Sequence, residues 1–537
     1  MNRKTIIFLP IIIAVSVAVG IVFANLMMKN TKKEQVPISI AASDNKINQI
    51  IRLINNNYVD TVSIGLIEDN VIPKMLRELD PHSVYIPKKD LERVNEELGS
   101  SFSGVGIQFS IQHDTVMAVS IISGGPSEKA GLIAGDRIVA VDDSVFVGKQ
   151  ITNEKVLNTL RGEKGTKVKV TVKRSGTSEL LHYNIVRGDI PLYSVDVAYK
   201  IKDDIGYIKV SKFSENTYKE FVIALAKLKN QGCSKYIVDL RENSGGYLEQ
   251  VVYMVNEFLP AGDLIVYTEG EHSPRNDVYA TGSGAFQNNK LVVLIDEWSA
   301  SASEIFSGAI QDNDRGTIIG RRSFGKGLVQ QQIPLDDGSA IRLTIARYHT
   351  PSGRCIQKPY THGDEEDYEM DILNRYLNGE TTNADSVKKN DDEAEKFYTK
   401  NGRVVYGGGG ITPDIFVARD TSDYSKYFKQ AANYGYMYEF ALKYVDENRE
   451  TLKEFDNWKS MLEYFYTQPI LDEFVKFAET KGLRNNIYNV QRSSNLILKY
   501  VYAYIARNML NDEGFYPILN MNDEMVEKAI EVIEEEL

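Results

Sequence analysis

Leu291-Val292-Val293-Leu294-Ile295-Asp296-Glu297-Trp298-Ser299-Ala300-Ser301-Ala302-Ser303-Glu304-Ile305 runs from five apolar residues, through a turn of small ones, into a helical pattern. A short apolar run followed by helical spacing over Ser303 to Gln311 reads as a buried strand feeding a helix. Outward from it, Ile205 to Val210 and Tyr236 to Leu240 read as strands flanking a helix over Thr217 to Lys229, and Gly316 to Gly320 as a fourth strand. Alternation of this kind predicts α/β layers on a largely parallel sheet, with ligands gathered beyond the carboxyl ends of the strands.

Three strand ends carry residues able to do chemistry. At Ser299-Ala300-Ser301-Ala302-Ser303, the unpaired N–H groups of a starting helix favour a developing negative charge, and a plain helix cap explains one serine rather than three. In Asp239-Leu240-Arg241-Glu242-Asn243-Ser244-Gly245-Gly246, the paired glycines let main-chain N–H groups approach an oxyanion with no Cβ in the way. Ser323-Phe324-Gly325-Lys326-Gly327 holds a lysine between glycines, which alone would read as a surface turn. Together they propose a serine nucleophile, a lysine base and an oxyanion hole. Lowering a lysine pKa from about 10.4 to about 7.5 requires ~4 kcal/mol of destabilisation of the charged form, which burial can supply. Ile318, Ile319 and Phe324 are the expected walls of that pocket.

Gly320 to Lys326 matches the first part of a P-loop, but Gly327 stands where a Ser or Thr should hold magnesium. No Gly-x-Ser-x-Gly occurs, and the six histidines lack metal or triad spacing, so His82 and His349 read as structural. No metal or cofactor is called for.

Residues 101–188 change texture to short β-type runs between glycine turns, Val105 to Ile111, Thr115 to Ile122, Arg137 to Val141, Lys167 to Lys173 and Glu179 to Val186, with one helix over Asn153 to Leu160. Ser127-Glu128-Lys129-Ala130-Gly131-Leu132 and Gly135-Asp136-Arg137-Ile138 resemble the signature of PDZ domains. The resemblance places the carboxylate-binding loop at Ser103-Gly104-Val105-Gly106-Ile107, where N–H groups and a strand edge would take a free peptide carboxyl terminus.

The whole pattern, with Leu79-Asp80-Pro81-His82-Ser83, Tyr348-His349-Thr350-Pro351-Ser352-Gly353 and Gly410-Ile411-Thr412-Pro413-Asp414, resembles the carboxyl-terminal processing peptidases of family S41, whose protease core is crotonase/ClpP-like. Chemistry alone leaves Ser299, Ser301 and Ser303 open; the resemblance selects Ser301 as nucleophile, Lys326 as general base and Gln330 as the side chain orienting the lysine. It assigns the oxyanion hole to the N–H groups of Ala302 and of Gly245 or Gly246. Arg161, after the PDZ helix, is the candidate for coupling peptide binding to the protease core. The competing class is a non-catalytic PDZ scaffold for protein carboxyl termini, which intact Ser301 and Lys326 weigh against.

The remaining chain sets the context. Between Lys4 and Lys29 there is no charge, and an apolar helix of that length covers about 36 Å, enough to span a bilayer core of ~30 Å. Residues 1–30 are thus expected to be a membrane anchor or a signal peptide, 31–44 a linker, 45–100 a helical region, 101–188 the PDZ domain, 189–420 the protease core and 421–537 a helical domain of structural or oligomerising role. Within the last, apolar spacing predicts helical stretches over Tyr427 to Tyr444, Trp458 to Tyr466, Leu471 to Ala478 and Leu496 to Leu510. The expected class is α/β multidomain, located outside the cytoplasm in a bacterial cell envelope (periplasmic). Its expected partners are protein or peptide substrates with free carboxyl-terminal tails and the membrane, with a homo-oligomer or adaptor left open. A net charge of −12 without a basic patch speaks against nucleic acid. Cys233 and Cys355, the only cysteines, exclude a disulfide framework and a paired-cysteine zinc site.

Overall fold

The computed structural model describes residues 45–112, 114–386, 395–484 and 486–535. The expected membrane span and linker lie outside them, and among the described residues no helix is long and apolar enough to cross a membrane. The chain divides into Met1–Val71 and Ile72–Leu537. In the first, α1 (Lys46–Asn57) starts where Asn45 Oδ1 accepts the N–H of Asn48 at 2.9 Å. Helix α2 (Ile64–Arg77) crosses the division. All that follows belongs to the second unit.

β1 (Val84–Ile86) and α3 (Lys88–Leu98) precede a PDZ-type module of β2 (Ser101–Gly104), β3 (Ile107–Gln112), β4 (Thr115–Ile121), α4 (Pro126–Ala130), β5 (Arg137–Val141), β6 (Ser144–Val145), α5 (Asn153–Leu160), β7 (Lys167–Lys173), β8 (Leu180–Val186) and β9 (Gly188–Pro191). Its sheet runs β3-β4-β5-β7-β8, so β3 is an edge strand. Val116, Ile138, Val156, Leu160 and Val170 fill the core beneath it.

The central α/β layer is built on β10 (Val195–Lys202), β11 (Ile205–Val210), α6 (Thr217–Asn230), β12 (Lys235–Asp239), α7 (Leu248–Asn256), β13 (Leu264–Gly270), β14 (Ser273–Tyr279), β15 (Lys290–Ile295), α8 (Ala302–Asp312) and β16 (Thr317–Gly320). β17 (Leu328–Pro334), β18 (Ala340–His349), α9 (Glu365–Leu377), β19 (Lys396–Tyr398), β20 (Val404–Tyr406) and β21 (Ile415–Phe416) complete it. Strands β11, β12, β15, β16 and β21 are parallel, and β10 closes one edge antiparallel. Successive side chains of a strand face opposite ways. Hence Ile208, Val238, Val293 and Ile318 pack with Phe221, Leu225 and Phe306 of the helices on one face. Tyr207, Ile237, Val292 and Ile319 meet Met525, Val526 and Ala529 on the other.

An antiparallel sheet, β1-β18-β13-β14 with β17 on β18, was not anticipated. It places Gln330 opposite Thr344 and Val84 opposite Arg342. The carboxyl-terminal helices are α10 (Lys426–Asn433), α11 (Tyr436–Leu452), α12 (Trp458–Tyr466), α13 (Ile470–Thr480), α14 (Ile487–Arg492), α15 (Ser494–Leu510), α16 (Asp512–Leu519) and α17 (Glu524–Glu535). The single apolar stretch Tyr427 to Tyr444 is in fact two helices, because Gly435 adopts φ 68° between them. Helix α11 reaches the PDZ module: Asp446 pairs with Arg137 at 3.3 Å, and Arg449 Nη2 donates to Ala134 O at 2.7 Å.

Candidate active site

The turn between β15 and α8 places Ser301 at the helix N-terminus with φ 55° and ψ −112°, a strained conformation for a residue with a Cβ. Strain of this kind costs about 1–3 kcal/mol and persists only where the surroundings enforce it. They do so here through Asn243, whose carbonyl accepts Ala300 N–H at 3.0 Å and Ser303 Oγ at 2.8 Å, while its side chain donates to Val210 O at 3.0 Å. The three serines are thereby sorted. Ser299 Oγ donates to Leu240 O and Ser303 Oγ to Asn243 O, both at 2.8 Å. Ser301 donates its hydroxyl proton to no group among the described residues.

Gly245, at φ 104°, lies so close that a Cβ there would sit 2.8 Å from Ser301 Cβ and 3.0 Å from Ala302 N, so only glycine fits. Its N–H donates to Asn243 Oδ1 at 2.9 Å. The N–H groups of Gly246 and Ala302 have no acceptor among the described residues.

Glu304, wholly buried, joins this turn to the lysine loop. Its carboxylate accepts Ser301 N–H at 2.8 Å, Gly325 N–H at 2.7 Å, Lys326 N–H at 2.9 Å and Ser323 Oγ–H at 2.5 Å. Burial pushes its pKa up, and these four donors oppose the shift. Gly325, at φ 90°, passes so near Lys358 that a Cβ would stand 3.0 Å from Lys358 Cβ.

Lys326 Nζ makes no hydrogen bond among the described residues, to Ser301 or to Gln330. Burial and the positive Arg342 lower its pKa below the ordinary lysine value, against the pull of Glu304 and Asp80. Gln330 Nε2 donates instead to His82 O at 2.6 Å. The expected walls need correction. Ile318 and Ile319 project into the cores on opposite faces of the sheet, and Phe324 lies edge-on to Tyr368 at 6.0 Å. The charges that act on the amine are those of Arg342, Glu304 and Asp80, and the amine acts in turn on His82.

In the PDZ module, Gly104 pairs with Gly188, Gly106 takes φ 81°, Val105 O accepts Ser127 N–H at 2.9 Å, and Ile107 opens β3. Arg161 Nη1 pairs with Glu96 of α3 at 2.5 Å, and its guanidinium lies 4.6 Å from the centre of the Phe102 ring. Ser103 Oγ, Ser127 Oγ and Arg161 Nε are buried with no hydrogen-bond partner among the described residues.

Peptidase family S41 matches residues 204–370, a PDZ domain family 103–185 and a family of unknown function 427–511. A carboxy-terminal-processing protease of Bartonella bacilliformis is 37% identical over 319 residues, 58% of this chain and 72% of that protein. The chain belongs to the carboxy-terminal processing proteases of peptidase family S41. The carboxy-terminal processing protease CtpB of Bacillus subtilis is 35% identical, over 58% of this chain and 65% of its own length. A solved photosystem II D1 C-terminal processing protease is similar at 25% identity and TM-score 0.36, covering 69% of this chain and 92% of that one.

The linking parts that Glu304 and Asn243 play in this processing protease were not read from the sequence. Glu304 stood three places after Ser301 and read as part of a helix start; the signal for more was its spacing to a second glycine-flanked loop. A cavity of about 1100 Å³ is lined by residues such as Lys209, Arg241, Lys499 and Asp523, and Ser301 and Lys326 are not in its lining. There Asp239, although buried, is held well below the usual carboxylate range by Arg241 and Lys209.

Proposed function

We propose that this protease cuts proteins near their carboxyl termini, with Ser301 as nucleophile, Lys326 as general base and Gln330 orienting the lysine. The observation that carries this reading is the Glu304 carboxylate, which ties the main chain at Ser301, three positions before it, to the main chain at Lys326, 22 positions after it. The main chains that carry a desolvated amine and a strained serine are thereby anchored to one buried group, and proton transfer then needs Lys326 Nζ to come within hydrogen-bond reach of Ser301 Oγ.

In the proposed reaction a free carboxyl terminus enters the PDZ loop Gly104-Val105-Gly106-Ile107, and the chain before it adds to the open edge of β3. Three buried donors without partners near this loop are what an incoming carboxylate would satisfy. Arg161, joined to Glu96, links that loop to the protease side of the molecule. Neutral Lys326 takes the Ser301 proton as Oγ attacks the carbonyl carbon. The oxyanion accepts hydrogen bonds from Ala302 N–H and Gly246 N–H, and from Gly245 N–H once Asn243 Oδ1 releases it. The C–N bond then breaks, Lys326 returns the proton to the leaving amine, and water hydrolyses the acyl-enzyme.

The uncharged stretch between Lys4 and Lys29 supports location outside the cytoplasm in a bacterial envelope, by anchor or by signal peptide. Retention of the full chain in membranes after alkaline extraction would identify the anchor. For the chemistry, a fluorophosphonate should label the parent and not Ser301→Ala, and Lys326→Ala should bind a tailed substrate without turning it over. Full turnover by Ser301→Ala would overturn the assignment; tail binding without turnover by the parent would favour a scaffold.

A further inference from the structure

A hydrogen-bond circuit of fixed direction closes around Lys326. Gln357 Oε1 accepts Gly327 N–H at 2.8 Å, so its amide nitrogen is left to donate, to Lys358 O at 2.8 Å and to Tyr368 Oη at 3.3 Å. Tyr368 Oη, accepting there, has its own proton to give, and His82 Nε2 lies 2.9 Å away. With that proton given to Nε2, His82 is the neutral tautomer whose own proton sits on Nδ1. Its carbonyl accepts Gln330 Nε2–H, which fixes the Gln330 amide with Oε1 as its remaining acceptor.

The turn carrying His82 is itself pinned. Asp80 Oδ1 accepts His82 N–H at 2.8 Å, Ser83 N–H at 2.9 Å and Thr344 Oγ1–H at 3.1 Å, and Oδ2 accepts Ser83 Oγ–H at 2.6 Å. Thr344 is the residue opposite Gln330 in the β17–β18 ladder, so turn and glutamine share one frame.

We propose that His82 and Tyr368 are positioning residues for Lys326 and Gln330: the circuit keeps His82 an uncharged acceptor and reserves the Gln330 carbonyl for the lysine amine. This rests on the reading of Lys326 as base. An amine that donates to Gln330 Oε1 presents its lone pair in a set direction, whereas a flipped amide would present two donors and turn it away. A protonated His82 would lose its acceptor at Nε2 and so the hydrogen bond that Tyr368 gives the ring, loosening the turn whose carbonyl holds Gln330. The charged groups facing the ring are Asp80 on its own turn, Lys326 before β17 and Lys358 after β18, with the Tyr368 hydroxyl from α9. Burial first, then the two lysines, holds His82 down to about 3 against Asp80, consistent with the tautomer set by the hydrogen bonds.

The test is a double-mutant cycle on Tyr368→Phe and His82→Gln in the full chain, with a tailed substrate. Tyr368→Phe should lower kcat by about tenfold or more with the tail affinity unchanged. The acid limb of its kcat/KM profile should shift, because the Lys326 amine is no longer met by a fixed Gln330 carbonyl. The double variant should show the same shifted limb and be no slower than the slower single variant. A Tyr368→Phe profile superimposable on that of the parent, while Lys326→Ala is inactive, would overturn the circuit and leave the base assignment standing; an active Lys326→Ala would remove both. Should His82→Gln fail to melt cooperatively, the Tyr368→Phe profile decides alone.

Discussion

Inside the protease core one carboxylate, Glu304, gathers four donors, while in the PDZ module Ser103 Oγ, Ser127 Oγ and Arg161 Nε are buried with no partner among the described residues. Both regions have taken polar groups out of water, and a group so desolvated costs free energy until it is paired. In the core the pairing is internal, so the loops of Ser301 and Lys326 are held in place before substrate arrives. In the PDZ loop, under the proposed function, the missing partner is the ligand, so the cost is recovered when its acceptor oxygens bind. A rigid reaction centre and a receptive reading loop thus differ in where their hydrogen-bond partners reside.

Removing the shared carboxylate should break that contrast most severely. Glu304→Ala should abolish turnover and cost about 3–5 kcal/mol in denaturant unfolding, because four donors lose their acceptor in a closed core. Next comes the lysine. Lys326→Met should eliminate turnover while leaving tail affinity intact, and it should stabilise the fold at neutral pH. The sign follows from linkage: the folded pKa lies below the unfolded value near 10.5, so the unfolded chain binds more protons between the two. The wild-type protein therefore gains stability as pH rises through that window, and the advantage of Lys326→Met should vanish near its upper end. Thermal melts across pH would check this.

The same depressed pKa places the acid limb of kcat/KM below the ordinary lysine range, with activity rising as the amine loses its proton. A limb at or above that range would contradict a buried base. The smallest effects belong to the reading loop. Ser127→Ala should leave kcat unchanged, raise stability by up to about 1 kcal/mol by deleting an unpaired hydroxyl, and weaken tail binding by about fivefold. Arg161→Ala should alter tail affinity or turnover; if both stay as in the parent, Arg161 couples nothing.

Local pattern carried the strand-to-helix turn, the glycine pair and the parallel order, since each is written in consecutive residues with a period of two or 3.6. What escaped is long-range. Asp80 meets Thr344 across 264 positions and Gln330 meets His82 across 248, and nothing local to either segment encodes such a register. Leu328 to Pro334 and Ala340 to His349 alternate weakly, so the antiparallel sheet that carries Gln330 stayed hidden. His82 read as structural because it lacks a metal or triad partner in sequence. Ser301 could not be separated from Ser299 and Ser303 by chemistry alone; in the folded chain, the carbonyls of Leu240 and Asn243 take up the other two hydroxyls.

Helix α11 grips the PDZ module at a turn where Gly135 has no side chain, and a Cβ there would fall 2.5 Å from Asp446 Oδ1. The carboxyl-terminal helices thus act as a mechanical load on the tail-reading module. A swing of that module larger than a hydrogen-bond length must either drag α11 along or shear Asp446 from Arg137 and Arg449 from Ala134.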